Sequence, residues 1–218
     1  MQEKLAQYFL DRQKIKTLVN HETFSDHIAR DSIVIYILQG FVELGYCSSI
    51  EGRAEGVGAI VGKGAWVGLA NYVCEDLTQI TQVSSTANAS IQVIDYATLD
   101  CVLNNNEKSF NIFKTLASVL AKESVERCDD FENYSINTPF ERHCSMLEVI
   151  KNQCQASTTT GVIKIPYSPE DMSRLTGNSR EMSRRYTVRL IGEDKVYLDK
   201  QRHINILPGR LYERSILV

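Results

Sequence analysis

The residues "SPEDMSRLTGNSREMSRRYTVRL", Ser168 to Leu190, form the most informative pattern in the C-terminal part of this chain. It holds five arginines and three acidic residues, although the 218-residue chain has a net charge of −3 at pH 7. Ser168 followed by Pro169 is typical of a helix N-terminus. Gly177 permits the positive φ of a sharp turn, and Ser179 can cap a second helix. The pattern therefore predicts a helix-turn-helix.

The second helix is expected from Arg180 to about Ile191, and its first turns carry most of the charge. In a helix-turn-helix these turns face the floor of the DNA major groove. Arginine can bond guanine with two donors and glutamate can accept from cytosine. A glutamate among arginines repels phosphate but suits contacts with base edges. The alternative is a solvated helix face with internal ion pairs, such as Glu181 with Arg185.

The segments on either side extend this domain to residues 134–218. Downstream, "KVYLDKQRHINIL" predicts two short strands around a polar turn, which is typical of the wing of a winged helix. Upstream, "TPFE" is a capping box that starts a helix running to about Asn152, and "VIKIPY" is a predicted strand. Residues 134–218 hold 13 basic and 9 acidic residues, against 11 and 18 in residues 1–133. Only the C-terminal part is therefore expected to meet a polyanion.

A long helix is predicted from about Glu107 to Asn133. Its apolar residues fall near one stripe that contains Phe110, Phe113, Ala117, Leu120 and Phe131. One interpretation is that this stripe packs onto the preceding strands. The other is that it pairs with a second copy of the chain in a two-helix coiled coil.

The segment from Ile33 to Ile94 has a β texture, with short apolar runs separated by glycines. Such a pattern predicts an antiparallel barrel or sandwich. The glycines match neither GxGxxG nor a P-loop, so no phosphate cradle is predicted. The first twenty residues predict a short amphipathic helix with Leu5 and Phe9 on one side. The fold class is therefore α+β, with residues 1–106 as the first domain.

Composition restricts the function further. No apolar run approaches the roughly 20 residues of a membrane span, and the N-terminus is too polar for a signal peptide, so we expect a cytoplasmic protein. The six cysteines lie far apart without a CxxC, so neither disulfides nor a metal site is predicted. Histidine is absent between Ile28 and Arg142, which argues against a metal-dependent enzyme on the strands. We therefore expect a protein that is not an enzyme and needs no cofactor.

The order of these predicted elements, together with two motifs, resembles the cAMP receptor protein/FNR (Crp/Fnr) family of transcription regulators. The resemblance covers nearly the whole chain. "YILQGFVEL" is similar to a family strand, and "LTGNSREMSRR" is similar to its recognition region. The resemblance implies a β-roll, which is a jelly roll like that of cyclic-nucleotide-binding domains. It also implies a dimerisation helix at residues 107–133 and a winged helix-turn-helix at residues 134–218. The implied partners are double-stranded DNA, a second copy in a homodimer, and RNA polymerase.

The resemblance also implies roles for individual residues. Arg180 and Glu181 match base-contacting positions, Arg185 matches the arginine that ends this face, and Ser179 matches a phosphate contact. The implied half-site is similar to TGTGA, within a palindrome. Arg184 replaces a glycine or serine, and we keep it as a further DNA-binding candidate whose contacts are open.

The chain departs from the family at two places. Ser183 and Thr187 stand where apolar residues usually seat the recognition helix, so looser or tilted packing is expected. In the nucleotide pocket Leu69 follows Gly68 where cAMP binders have a glutamate, and no arginine lies near Gln79. A buried phosphodiester without its cation is strongly destabilised, so cAMP dependence is not expected.

The sequence leaves the effector open. An iron–sulfur sensor needs an N-terminal cysteine cluster, but the first cysteine is Cys47. His21 and His27 are candidate heme ligands in principle, but isolated surface histidines are the favoured interpretation. Two alternatives stay: a cyclic-nucleotide-responsive switch, and a ligand-sensing module whose winged domain binds a protein or nonspecific DNA.

Overall fold

The computed structural model describes residues 14–19, 22–25, 28–46, 56–74, 82–85, 87–104, 111–122, 124, 138–154, 161–209 and 211. The chain divides into two compact units, residues 1–129 and residues 130–218. The predicted domain boundaries after residues 106 and 133 fall outside the described ranges and stay predictions. In the described part of the chain, no helix is long and apolar enough to cross a membrane, and no cluster of three metal-ligating side chains is found.

In the part of the first unit that the structure describes, the strands form two four-stranded antiparallel sheets. The strands of the first sheet, in spatial order, are β1 (Lys14–Leu18), β8 (Ala89–Asp95), β3 (Ile33–Gln39) and β6 (Trp66–Val67). Those of the second are β2 (Glu22–Ser25), β7 (Gln82–Ser85), β4 (Phe41–Tyr46) and β5 (Gly56–Gly62). The antiparallel arrangement predicted from the glycine spacing is therefore present.

The predicted N-terminal helix is wrong where it can be checked. Residues 1–13 lie outside the described part, but Lys14–Leu18 forms strand β1 and pairs with β8. The strand buries Leu18 completely and leaves Ile15 exposed. Pairing with an existing sheet supplies backbone partners at every second residue, and this outweighs a weak local helical pattern.

Strand β3 is covered on both faces, which explains its continuous apolar sequence "IVIYIL". Ile35 and Ile37 join a core cluster shared with the second sheet. Val34 and Tyr36, which alternate with them, join a second cluster formed with the helices. Because side chains alternate along a strand, a strand in the middle layer needs apolar residues at every position.

The described residues of this unit form four helices: α1 (Ile28–Asp31), α2 (Leu69–Val73), α3 (Tyr96–Asn104) and α4, of which residues 111–122 are described. Leu69 and Leu99 are fully buried in the cluster between the first sheet and the helices. Gly68 precedes α2 with φ +91°, and a Cβ there would lie 2.9 Å from the Ile33 carbonyl oxygen. This position therefore requires glycine.

The second unit contains α5 (Pro139–Cys154), β9 (Ile163–Lys164), α6 (Asp171–Thr176), α7 (Arg180–Gly192), β10 (Val196–Leu198) and β11 (Ile204–Ile206). The three strands form one antiparallel sheet in the order β10-β11-β9. The predicted capping box of α5 is confirmed, since Thr138 N–H donates to the Glu141 carboxylate at 2.6 Å. Glu141 N–H donates back to the Thr138 hydroxyl at 3.3 Å.

Candidate nucleic-acid interface

The turn between α6 and α7 is fixed by backbone geometry. Gly177 ends α6 in the left-handed region with φ +67°. Asn178 Nδ2 donates to the Pro139 carbonyl at 3.1 Å, which ties the turn to the start of α5. Ser179 then caps α7, because its hydroxyl accepts from Met182 N–H at 3.2 Å. The predicted helix, glycine turn and second helix are therefore present.

The start of α6 is held by the predicted serine. The carboxylate of Asp171 accepts from the backbone N–H and the hydroxyl of Ser168, at 2.8 and 2.7 Å. The α-helix itself begins at Asp171, later than the sequence predicts. Pro169 and Glu170 form a turn instead, closed by Met172 N–H on the Ser168 carbonyl at 3.2 Å. Glu170 is thereby placed directly before α6, with its carboxylate in contact with Arg184 of α7.

The candidate DNA-binding residues form an exposed row along the first turns of α7. Arg180, Glu181, Arg184 and Arg185 are all exposed. Arg185 Nη2 lies 2.6 Å from Glu181 Oε1, and about three-quarters of each side chain is exposed. Arg180 makes no ion pair with any described residue. The structure thus brings the predicted residues together, and the predicted internal ion pair is also present.

Sequence reasoning missed Glu170. Its Oε1 accepts from Arg184 Nε at 2.6 Å, and Arg202 Nη2 lies 3.7 Å from the same oxygen. Partial burial raises the pKa of Glu170, but the hydrogen bond from Arg184 and the two positive charges outweigh it and leave the pKa below its ordinary value. Glu170 lies 14 residues before Arg184 and 32 residues before Arg202, so no local spacing rule predicts either contact.

Polar side chains seat α7 on the rest of the unit. Ser183 and Thr187 are buried, as is His143 of α5. Thr187 Oγ1 donates to the Ser183 carbonyl at 2.9 Å and lies 3.4 Å from His143 Nε2. Burial lowers the pKa of His143 to about 4, so the ring is neutral at pH 7. Buried polar residues therefore stand where the family usually has apolar residues under this helix. Ser183 and Thr187 both face the interior of the unit.

Aromatic contacts complete the seat. Tyr186 packs edge-on against Phe140, with ring centroids 5.4 Å apart, and against His143 at 5.7 Å. The Arg189 guanidinium lies 3.9 Å from the Phe140 ring centroid. Such cation–π contacts are worth about 0.5–1 kcal/mol at exposed sites. α7 is thus anchored along its inner side while its first turns stay exposed.

Strands β10 and β11 are joined by a hairpin turn at residues 199–203, where the wing is predicted. Asp199 Oδ1 accepts from Gln201 N–H and His203 N–H, each at 2.9 Å. Lys164 Nζ lies 2.7 Å from Asp199 Oδ2. The hydrogen bond from Lys164 is the main reason why the pKa of Asp199 is lowered. The turn therefore presents Arg202, whose φ of +64° is unusual for a residue other than glycine.

Helix α4 carries two apolar stripes rather than one. Ile112, Leu116 and Val119 are buried in the core cluster of the first unit. Phe113, Ala117 and Leu120, each one residue further along, form the second stripe; Phe113 is 64% exposed, Ala117 is exposed and Leu120 is partly buried. Both interpretations of the helix thus have residues to support them. The predicted stripe residues Phe110 and Phe131 lie outside the described part of the chain.

A cavity of about 510 Å³ opens beside the second stripe, between α2, α3 and α4. Its lining includes Phe113 and Leu120, together with Tyr72, Tyr96 and Asp100. Tyr72 donates to the Asp100 carboxylate at 2.6 Å. Burial, followed by that hydrogen bond, raises the pKa of Tyr72 above its ordinary value, so Tyr72 is a neutral donor at all physiological pH values.

The positions matched to the nucleotide pocket are only partly described. Leu69, which stands in place of the family's glutamate, is fully buried among apolar side chains. Residues 75–81, which include Gln79, lie outside the described part, as do His21 and His27. The position that the resemblance matches to ribose binding is therefore occupied by a buried apolar residue.

Comparison with known proteins gives the fold a context. No protein-family model and no curated protein sequence matches the chain. Among solved structures, the c-di-GMP-responsive global regulator CLP from Xanthomonas campestris matches with a TM-score of 0.73 and 16% identity, over 95% of this chain and 99% of that one. FixK2 from Bradyrhizobium japonicum matches with a TM-score of 0.69 and 16% identity, over 91% of this chain and 93% of that one. TTHA1359 from Thermus thermophilus, a CRP/FNR-family transcriptional regulator, matches with a TM-score of 0.66 and 15% identity, over 89% of this chain and 93% of that one.

The chain has the fold of the Crp/Fnr family of transcription regulators. The predicted resemblance is therefore confirmed at the level of the fold, over 95% of the chain in the match with CLP.

Proposed function

We propose that this protein is a sequence-specific, DNA-binding transcription regulator of the Crp/Fnr family, and not an enzyme. The observation that carries the proposal is the exposed row on α7, where Arg180, Glu181 and Arg185 stand at the helix end that enters the major groove in this motif. By family resemblance the half-site is similar to TGTGA. The two arginines then bond guanines and the glutamate accepts from a cytosine of the opposite strand.

The ion pair between Glu181 and Arg185 is compatible with base recognition. An exposed pair one helical turn apart contributes about 0.3–0.5 kcal/mol. A good bidentate base contact is worth about 1–3 kcal/mol. The free energy lost when the Glu181–Arg185 pair opens is therefore smaller than the free energy gained from one base contact.

We propose that the protein is a homodimer through the second stripe of α4. A 64% exposed phenylalanine in register with Ala117 and Leu120 supplies positions i, i+4 and i+7, which is the spacing of a two-helix seam. The first stripe remains buried in its own unit, so pairing needs no rearrangement of the core. Two recognition helices then meet half-sites about one helical turn of DNA apart. In such a regulator, RNA polymerase is the expected partner at the promoter.

We infer that DNA binding does not depend on cAMP. Leu69 is buried where a cAMP binder offers a carboxylate to the ribose, and the sequence has no arginine between Arg53 and Arg127. A phosphodiester taken out of water needs a cation and hydrogen-bond donors. The first unit therefore serves as an interaction or effector module for a different signal, or for none.

Selection of bound duplexes from a random DNA pool tests the proposed function. The expected product is one palindrome with TGTGA-like half-sites, enriched by wild-type protein in buffer alone. The same selection with Arg180→Ala and Arg185→Ala protein should enrich altered or weaker half-sites. A pool that stays random would reject base recognition and would favour nonspecific DNA binding or a protein partner for the second unit.

A further inference from the structure

Glu170 joins three parts of the second unit that are distant in sequence. Its carboxylate lies between Arg184 of α7, at 2.6 Å, and Arg202 of the hairpin turn, at 3.7 Å. Glu170 itself stands in the turn before α6. We call these three residues the Glu170 cluster. It connects the recognition helix with the hairpin on the side of the unit where the candidate DNA-binding residues lie.

The charge of the cluster is well defined at neutral pH. The Glu170 side chain is 28% exposed, and those of Arg184 and Arg202 are 57% and 61% exposed. The pKa of Glu170 is below its ordinary value because the arginine hydrogen bond and charges outweigh partial burial. The carboxylate is therefore ionised, and the cluster presents one net positive charge where two arginines alone would present two.

The hydrogen bond also restricts where Arg184 can reach. Arg184 shares a face with Glu181 and Arg185, so an unrestrained arginine there could bond any nearby guanine or phosphate. The bond between its Nε and Glu170 holds the guanidinium toward the turn before α6. While this bond is formed, the Arg184 guanidinium lies against Glu170 and its Nε–H is not available to DNA.

We propose that Glu170 is a specificity-determining residue of the DNA interface, which weakens sequence-independent binding by restraining and partly neutralising Arg184 and Arg202. The proposal rests on the proposed function. Nonspecific affinity comes from phosphate attraction and counterion release. On nonspecific DNA the protein is free to shift toward the best phosphate contacts, whereas on its own site the base contacts fix its position. Releasing two arginines therefore strengthens nonspecific binding more than specific binding.

Glu170→Gln tests this, with Glu193→Gln as the matched control. Glu193 also lies between two cations, Arg189 at 2.9 Å and Lys195 at 2.8 Å, but at the far end of α7. Both substitutions remove one negative charge. Binding is measured by fluorescence anisotropy on a random-sequence duplex and on the selected palindrome, from about 0.05 to about 0.3 M salt, a range over which counterion release is visible. A third variant combines Glu170→Gln with Arg184→Ala.

The expected result is tighter binding of the random duplex by Glu170→Gln. One additional phosphate contact steepens the slope of log K against log salt by about 0.9, which corresponds to about eightfold at 0.1 M relative to 1 M salt. The gain on the palindrome should be smaller, so the specificity ratio falls. Glu193→Gln should change neither the affinity for the random duplex nor the specificity ratio. Adding Arg184→Ala should remove most of the gain.

Two other results are informative. If the wild type selects a palindrome but Glu170→Gln and Glu193→Gln behave alike, the role of Glu170 is refuted while the proposed function stands. If the wild type prefers no sequence, both are refuted, whatever the variants do. A DNA-free check is the NMR signal of Arg184 Nε–H, which should be protected from exchange in the wild type and lose that protection in Glu170→Gln. Equal exchange in both proteins would contradict the restraint itself.

Discussion

Glu181 and Arg185 lie one turn apart on α7, and their side chains meet at 2.6 Å while remaining largely in solvent. The pair is of little value for stability, because exposed ion pairs contribute less than about 1 kcal/mol. Its geometry holds a carboxylate and a guanidinium side by side at the start of the helix. Two adjacent groups of opposite charge suit a surface with alternating acceptors and donors, which is what base edges offer.

The second stripe of α4 is expected to be the dimer seam. Replacing Phe113 and Leu120 together with glutamate should give monomers in analytical ultracentrifugation, because four carboxylates would meet across the seam. Binding to the palindrome should be lost, since one winged unit has too few contacts.

Asn111→Glu with Ser118→Glu is the control for this pair. It adds the same charge and seven-residue spacing on an exposed face of the helix away from the stripe. The control should remain dimeric. A dimeric Phe113/Leu120 variant would exclude this helix as the seam.

No response to cAMP is expected. Isothermal titration of the protein with cAMP and with cGMP should give no binding heat at micromolar ligand, because the position matched to ribose binding in the family is the buried Leu69. Affinity for the palindrome should be the same with and without either nucleotide. Micromolar binding accompanied by tighter DNA binding would overturn this prediction.

The neutral His143 should make the second unit sensitive to acid. Its pKa is about 4 in the folded protein against an ordinary 6.5, so the unfolded state binds the proton first as pH falls. Stability is therefore complete above pH 6.5 and decreases as pH falls toward 4, by about 3 kcal/mol in all at 1.36 kcal/mol per pKa unit.

Hydrogen exchange of the α7 amides, converted to opening free energies at pH 7 and pH 5, measures this loss. His143→Gln keeps a polar side chain without the titration, so it should show a shallower pH dependence than the wild type. Equal pH dependence in the two proteins would mean that this histidine is not the source.

Ser183 offers a test of the polar seat. Its hydroxyl is buried and has no hydrogen-bond partner in the described part of the chain. Such a group costs about 1–3 kcal/mol, whereas its replacement by a hydrogen atom leaves almost no cavity. Ser183→Ala should therefore raise the free energy of unfolding in urea by about 1 kcal/mol. Thr187→Val removes a hydroxyl that is hydrogen-bonded, so it should not raise the free energy of unfolding. If Ser183→Ala lowers that free energy, the serine hydroxyl must have a hydrogen-bond partner, and this prediction is wrong.

Local patterns predicted much of this molecule. The capping box at Thr138, the turn glycine at Gly177 and the exposed row on α7 follow from spacings of a few residues, which is the range over which helix rules apply. Strand β1 was mispredicted because sheet pairing is non-local. Contacts between distant segments, such as Glu170 with Arg202, depend on the assembled fold, so no spacing rule finds them.

We expect α7 to recognise bases through Glu181 and its neighbouring arginines. The most direct measurement is the affinity of wild type and Glu181→Ala for the selected palindrome and for each of its single-base variants, at several salt concentrations. Glu181→Ala should lose about 1–3 kcal/mol of discrimination at one base pair of each half-site. The salt slope should stay nearly unchanged, because a carboxylate releases no counterion from DNA. If the variant binds every duplex with the wild-type ranking, Glu181 contacts no base and the account of α7 is contradicted.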